Sequence, residues 1–230
     1  MLRQLDEDIW VIDHPFSMLG AKIGTRTTLV RLSDGGLFMH SPGPLSVPFA
    51  QQIDALGPVR CIVAPNKFHH VYIAENAKAY QAASLHLAPG LERKRKDLSY
   101  NEVLGDTPST LWAKDVDQIC FGGVPACNEV AFLHRASRTL ILSDVAFNFG
   151  HAPSALTRLF LQLNGTLGQF GPSRMFRMMM RDRAAARASL ERILDWNFDR
   201  IIVAHGDVLE GDARHILRNS YAWLLGQVVD

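Results

Sequence analysis

Two rhythms of apolar residues run along this chain. Short runs rich in β-branched side chains, cut off by glycine, proline or charge, alternate with longer stretches whose apolar positions fall three and four apart. The first pattern fits strands buried on both faces; the second fits helices laid against a sheet. Residues 9–13 and 27–32 read as strands, Ser33-Asp34-Gly35-Gly36 as a hairpin turn, and 37–40 as the strand that pairs back. A helix is predicted over 47–56, stopped by Gly57-Pro58, then a strand over 60–64, a helix over 73–83 and a strand over 85–88. The second half opens with short strands at 118–122, 129–133 and 138–142. An amphipathic helix follows at 153–163, then a glycine-rich loop at 164–173, then a helix to Trp196 that Asp182 caps. A strand at 200–204 and a helix at 213–225 come last. No repeat, low-complexity tract or linker divides the chain, so the expectation is a single α/β domain over 1–230.

Composition narrows the field without choosing a function. Hydrophobic residues at 47% and charged ones at 20% are ordinary globular values, and a net charge of +1 gives no global field toward nucleic acid or a membrane surface. No apolar run approaches the length needed to span a bilayer, and residues 1–8 carry no apolar signal core. Cys61, Cys120 and Cys127 form no CxxC pair and leave an odd count, which fits reduced thiols in a cytoplasm better than a disulfide framework. The expectations are a cytoplasmic protein acting on a small molecule, with neither membrane nor nucleic acid as partner.

The candidate chemistry collects at strand ends. The strand ending at Ala64 runs into Pro65, which cannot donate to a sheet ladder, and the loop beyond carries His69 and His70. Another apolar strand ends at Asp144, and a third ends at Ala204 before His205-Gly206-Asp207. Loops leaving rigid strands favour binding groups, because the scaffold fixes them while solvent and substrate reach them. Metal-ligand residue types therefore close each of these strands.

In this order the pieces resemble the metallo-β-lactamase superfamily, and more closely its DUF4336 branch. The resemblance rests on APNKFHHVYI, on NEVAFLHRASRTLILSDVAFN and on RIIVAHGDVLEG, and it extends over roughly residues 8–225. It implies a four-layer αββα sandwich of metallo-β-lactamase type. It also implies that the His69-His70 loop stands where the family carries HxHxDH, that Asp144 is the bridging aspartate, and that His205 is the last histidine. With His70 on the final histidine of that loop, His69 takes the aspartate's place, and Lys67 and Pro65 take the places of two other histidines. No histidine stands around Gly123-Val124-Pro125, where the family carries a further one. The resemblance thus implies a degenerate, mononuclear site: one divalent metal held by His69, His70, Asp144 and His205, with Asp144 and His69 as the catalytic residues. Imidazole and carboxylate favour zinc, with iron or manganese as alternatives. One reading is a metal-dependent hydrolase of an ester, amide, thioester or phosphoester. The other is a binding or interaction protein of the same fold without bound metal.

Several residues keep two readings. His40 is either a support for the site or a satisfied histidine at a sheet end. Cys127 is either a buried thiol or a surrogate ligand, and Lys67 either a solvated charge or a substitute for a missing ion. Asn66 and Asp207 flank the site and could orient its ligands. The basic run 93–96 reads as a solvated turn, with an anion or RNA patch as the minority reading. The segment 170–183, with Met175, Met178, Met179, Met180 and four arginines, is a lid over the site, a homodimer contact or core packing.

Overall fold

The computed structural model describes residues 1–226. Its first sheet sets Leu2–Asp6, Ile9–His14, Thr25–Arg31, Leu37–His40, Val59–Ala64, Ser84–Leu87 and Glu102–Val103 side by side in chain order. The early pairings are antiparallel; from Leu37–His40 onward they are parallel, linked by helices that cross over between strands. The second sheet orders Val116–Cys120, Val130–His134, Thr139–Ile141, Arg200–Ile202 and Leu209–Glu210, with a parallel pairing between Thr139–Ile141 and Arg200–Ile202.

Strand alternation builds the layers, because successive side chains leave a strand on opposite faces. Ile9, Val11, Phe38, Cys61 and Val63 of the first sheet meet Val130, Phe132, Ile141 and Ile202 of the second in one buried cluster between the sheets. Their neighbours Trp10, Ile12, Leu37, Met39, Ile62 and Ala64 face the other way, toward Ile53, Ile73 and Leu91. Those three belong to the helices Val47–Asp54, Ile73–Ala79 and Leu91–Lys94. On the far side, Ala131, Leu133, Leu140 and Ile201 pack against Leu190, Ile193 and Leu217 of the helices Arg183–Leu194 and Ala213–Ser220. The order is helix, sheet, sheet, helix, as expected.

Some elements differ from expectation in ways packing explains. The helix expected over 213–225 is broken at Tyr221, whose buried hydroxyl donates to the Val145 carbonyl at 2.6 Å. A separate helix, Arg174–Met179, forms where only a loop and an undecided methionine segment were read, capped by Ser173 Oγ accepting from Phe176 N. The short strands Leu2–Asp6 and Glu102–Val103 were missed, since edge positions need no continuous apolar run.

Three histidines of the first sheet, His14, His40 and His86, are buried, and burial lowers all of them, furthest at His14 and His40. Burial lowers His14 from 6.5 to about 4, against a small opposing pull from Asp13, and lowers His40 to about 3, with His69 adding to the effect. Both stay neutral in the fold, while in the unfolded chain they take up a proton near the ordinary value of 6.5. Between pH 6.5 and about 4 the unfolded state therefore binds more protons, and stability falls as acid is added. The urea midpoint should drop across this window, each histidine contributing a slope of up to about 1.4 kcal/mol per pH unit. His40→Leu should flatten the dependence; an unchanged slope would show that His40 already carries its proton in the fold.

Candidate metal centre

The loop after Val59–Ala64 owes its shape to Asn66. This side chain is fully buried, and its Oδ1 accepts from the backbone N–H of Phe68 and of His69, both at 2.8 Å. Such a turn, closed by an asparagine on its own following backbone, is a local alternative to sheet or helix. It points His69 inward. The Asn66 amide also donates to Asp144 Oδ2 at 2.8 Å and to Glu129 Oε2 at 3.0 Å.

Glu129 opens the strand Val130–His134 and is 1% exposed. Its carboxylate accepts from Ser143 N at 2.7 Å and Asp144 N at 2.6 Å, so it holds the turn on which Asp144 is displayed. Burial, reinforced by the Asp144 charge, pushes Glu129 up to about 7 against these hydrogen bonds. Sequence reasoning missed this residue. The available signal was a carboxylate directly preceding a strand whose every side chain is buried.

His205 follows Arg200–Ile202 and is held from the first sheet. Its Nδ1 donates to the Gly24 carbonyl at 2.6 Å, which leaves Nε2 as the free nitrogen of the neutral ring. Arg26, 6% exposed, donates to the carbonyls of Val203 and Gly206, each at 2.8 Å, and pairs with Asp13 at 2.6 Å. Gly206 has φ +96°, and a Cβ there would lie 1.9 Å from the Asn148 carbonyl oxygen, so only glycine fits this turn.

Three side chains converge. His69 Nε2 lies 3.4 Å from Asp144 Oδ2, and His205 Nε2 lies 3.7 Å from Asp144 Oδ1. The donor atoms of all three fall within 4.8 Å of one another. Both spacings exceed the ~3.2 Å limit of an ordinary N–H···O bond. They approach the ~3.3 Å expected between two ligands of one tetrahedral ion with bonds of about 2.0–2.2 Å. The far nitrogen of each ring is anchored: His69 Nδ1 shares a 2.7 Å hydrogen bond with Ser41 Oγ, as His205 Nδ1 does with Gly24. That anchoring fixes ring orientation in metal sites generally, and two imidazoles with one carboxylate is a known donor set for zinc and non-haem iron. The residues present fit a single divalent ion.

The charges are consistent with a tight group. Burial pulls His69 down, but the Asp144 carboxylate and, more weakly, Glu129 outweigh it and leave His69 above its ordinary value. Burial lowers His205 to about 4. Asp144 is held below the usual carboxylate range by His69 and His205 despite its burial.

The structure does not bring His70 into this group. It is only half buried, and Arg95 Nη1 meets its Nδ1 at 3.1 Å and donates to its carbonyl at 2.9 Å, so the ring faces the basic segment. Lys67 also points away, its Nζ donating to the Pro125 carbonyl at 2.9 Å. Cys127 lies with Glu129 and Asp144 within 4.8 Å, but it is fully buried, and its thiol is pushed well above the ordinary value by burial and by both carboxylates. With Glu129 already accepting from three N–H donors, this second cluster is a hydrogen-bonded core. Asp207 is exposed and supports the Asn148–Gly150 loop through Gly150 N. His40 is buried beside Phe132, their ring centroids 5.5 Å apart.

The fold is that of the metallo-β-lactamases. A metallo-β-lactamase from Pontibacter korlensis superposes with a TM-score of 0.67 at 10% identity, covering 99% of each chain. The metallo-β-lactamase FIM-1 from Pseudomonas aeruginosa, solved in a mono-zinc form, gives 0.64 at 10% identity, over 98% of this chain and 93% of that one. A metal-soaked Flv1 flavodiiron core from Synechocystis gives 0.67 at 11% identity, over 97% of this chain and 60% of that one. At the level of sequence, residues 6–165 match the family described as Domain of unknown function (DUF4336), and the chain belongs to that family. No curated protein matches the sequence.

Glu129→Gln tests the support beneath Asp144. A neutral amide offers one accepting oxygen where Glu129 presents two, so at least one buried N–H loses its partner. A loss of about 1–3 kcal/mol in chemical denaturation is expected. A variant as stable as the native chain would mean that Glu129 is already protonated and does not hold the turn as a carboxylate.

Proposed function

We propose that this protein is a metal-dependent hydrolase with a mononuclear site formed by His69, Asp144 and His205. The observation that carries this reading is the convergence of two imidazole Nε2 atoms on opposite oxygens of one carboxylate, at 3.4 and 3.7 Å, with both rings anchored through Nδ1. Zinc suits this donor set best, and iron or manganese fit it less closely. A bound ion would act as a Lewis acid and lower the pKa of its water. The chain's own residues do the rest. Asp144, oriented by the Asn66 amide, sets the negative charge of the site; His205 stays neutral at pH 7; apolar side chains above the three donors exclude bulk water.

A non-catalytic protein of the same fold is favoured by one observation. The Asp144 charge raises His69 toward its protonated form, so the pair can neutralise itself without an ion.

Elemental analysis of untagged protein separates the two readings. About one ion per chain is expected, lost in His69→Ala, Asp144→Ala and His205→Ala but retained in His70→Ala, because Arg95 already engages His70. Chelation should lower the melting temperature of the native chain and leave the first three variants unaffected. Native protein that takes up no zinc, iron or manganese, and that melts identically with and without chelator, would establish the non-catalytic reading.

A further inference from the structure

The cavity over His69, Asp144 and His205 has a volume of about 360 Å³, near the low end of the ~300–1,000 Å³ typical of small-molecule sites. Its walls are mostly apolar, Phe68, Phe147, Met175 and Met179 among them, with hydroxyl-bearing side chains at Tyr72 and Ser173, and among the described residues no lysine or arginine lines it. A narrow extension of about 30 Å³ continues past Met175 to Phe160 and Leu161. The cations that neighbour Phe68 in the chain or in space are engaged elsewhere. Lys67 Nζ donates to the Pro125 carbonyl, Lys94 Nζ donates to the Lys67 carbonyl at 2.8 Å, and Arg95 pairs with Asp97 and meets His70. Away from the His69–Asp144–His205 floor, a charged group against these walls would leave water and meet no opposite charge, whereas an aliphatic or aryl group gains by leaving water.

We infer that the cavity takes the uncharged apolar part of the substrate, and that the substrate is a neutral acyl compound such as an ester of an aliphatic or aromatic acid. This rests on the hydrolase reading above. In the reaction, the oxygen of water bonds to the acyl carbon and the ester C–O bond breaks. The alcohol leaves with one proton of that water, and the carboxylic acid remains. The methionines fit the assignment: thioether side chains adjust to apolar groups of differing shape. Met175 and Met179 come from the segment whose sequence offered lid, dimer and core readings; here they wall the cavity, Phe176 bridges cavity and core, and Met180 enters the core.

Methyl ketones of increasing chain length are uncleavable, neutral stand-ins for such esters. Their affinity for the protein as purified is read by calorimetry, with metal content measured on the same samples. Each added methylene should tighten binding about fourfold until the cavity is full. An ω-carboxylate on the same ketone should weaken binding at least tenfold. Met175→Asp should weaken the longer ketones at least tenfold without changing metal content; Met175 is 43% exposed, so the fold tolerates the change. Affinity that ignores chain length, or equal binding of the ω-carboxylates, would overturn the inference and leave the metal measurement to judge the hydrolase reading. Chain-length dependence in a protein that takes up no metal would support the apolar ligand and overturn the hydrolase reading instead.

Discussion

One buried amide lies against two carboxylates, one buried and one part-buried, and the rest of the site depends on it. Asn66 donates its two amide hydrogens to Glu129 and Asp144 and accepts two backbone N–H groups on its oxygen. Its full hydrogen-bonding capacity is used. Two carboxylates in a dry interior repel strongly and lose their hydration. Here the repulsion is offset by the Asn66 amide, by the backbone N–H groups of Ser143 and Asp144, and by the imidazole of His69. Removing the amide would free the loop that carries His69 and the carboxylate that faces it in the same stroke.

A chain at 10–12% identity to its structural neighbours can still share their fold. The fold needs only the apolar alternation that fills the space between the sheets, and many sequences supply it. The site needs particular atoms at particular strand ends. Pro65 has no side-chain donor, and Lys67 is drawn off to the Pro125 carbonyl. What converges on Asp144 is then two rings, each supported from outside the strand that carries it.

Much of the fold could be read from the sequence because its strands are buried on both faces. Runs such as Cys61-Ile62-Val63-Ala64 and Thr139-Leu140-Ile141 are unambiguous, and their β-branched residues bound them. His205 and Asp144 were readable for the same reason: each ends such a run. The choice between His69 and His70 was not readable. Adjacent residues on a turn point apart, and which one turns inward is set by the Asn66 hydrogen bonds and by Arg95, residues whose partners lie in space. Glu129 and Arg26 were missed because a charge beside an apolar strand usually marks its exposed end. Only the folded chain shows that Arg26 is surrounded by carbonyls and a carboxylate from distant segments. The methionine helix was obscured by its shortness, since six residues show too little periodicity to be read.

The support of His205 has a consequence for how the chain assembles. Its ring is fixed by Gly24, 181 residues away, and its loop by Arg26, 177 and 180 residues from the carbonyls it binds. Closing segments this far apart costs chain entropy before any contact is gained. The long loop between them must already be organised by both sheets for these few bonds to hold. An ion bound among the three converging side chains would therefore recognise the folded chain and not the unfolded one, in which nothing holds these distant segments together.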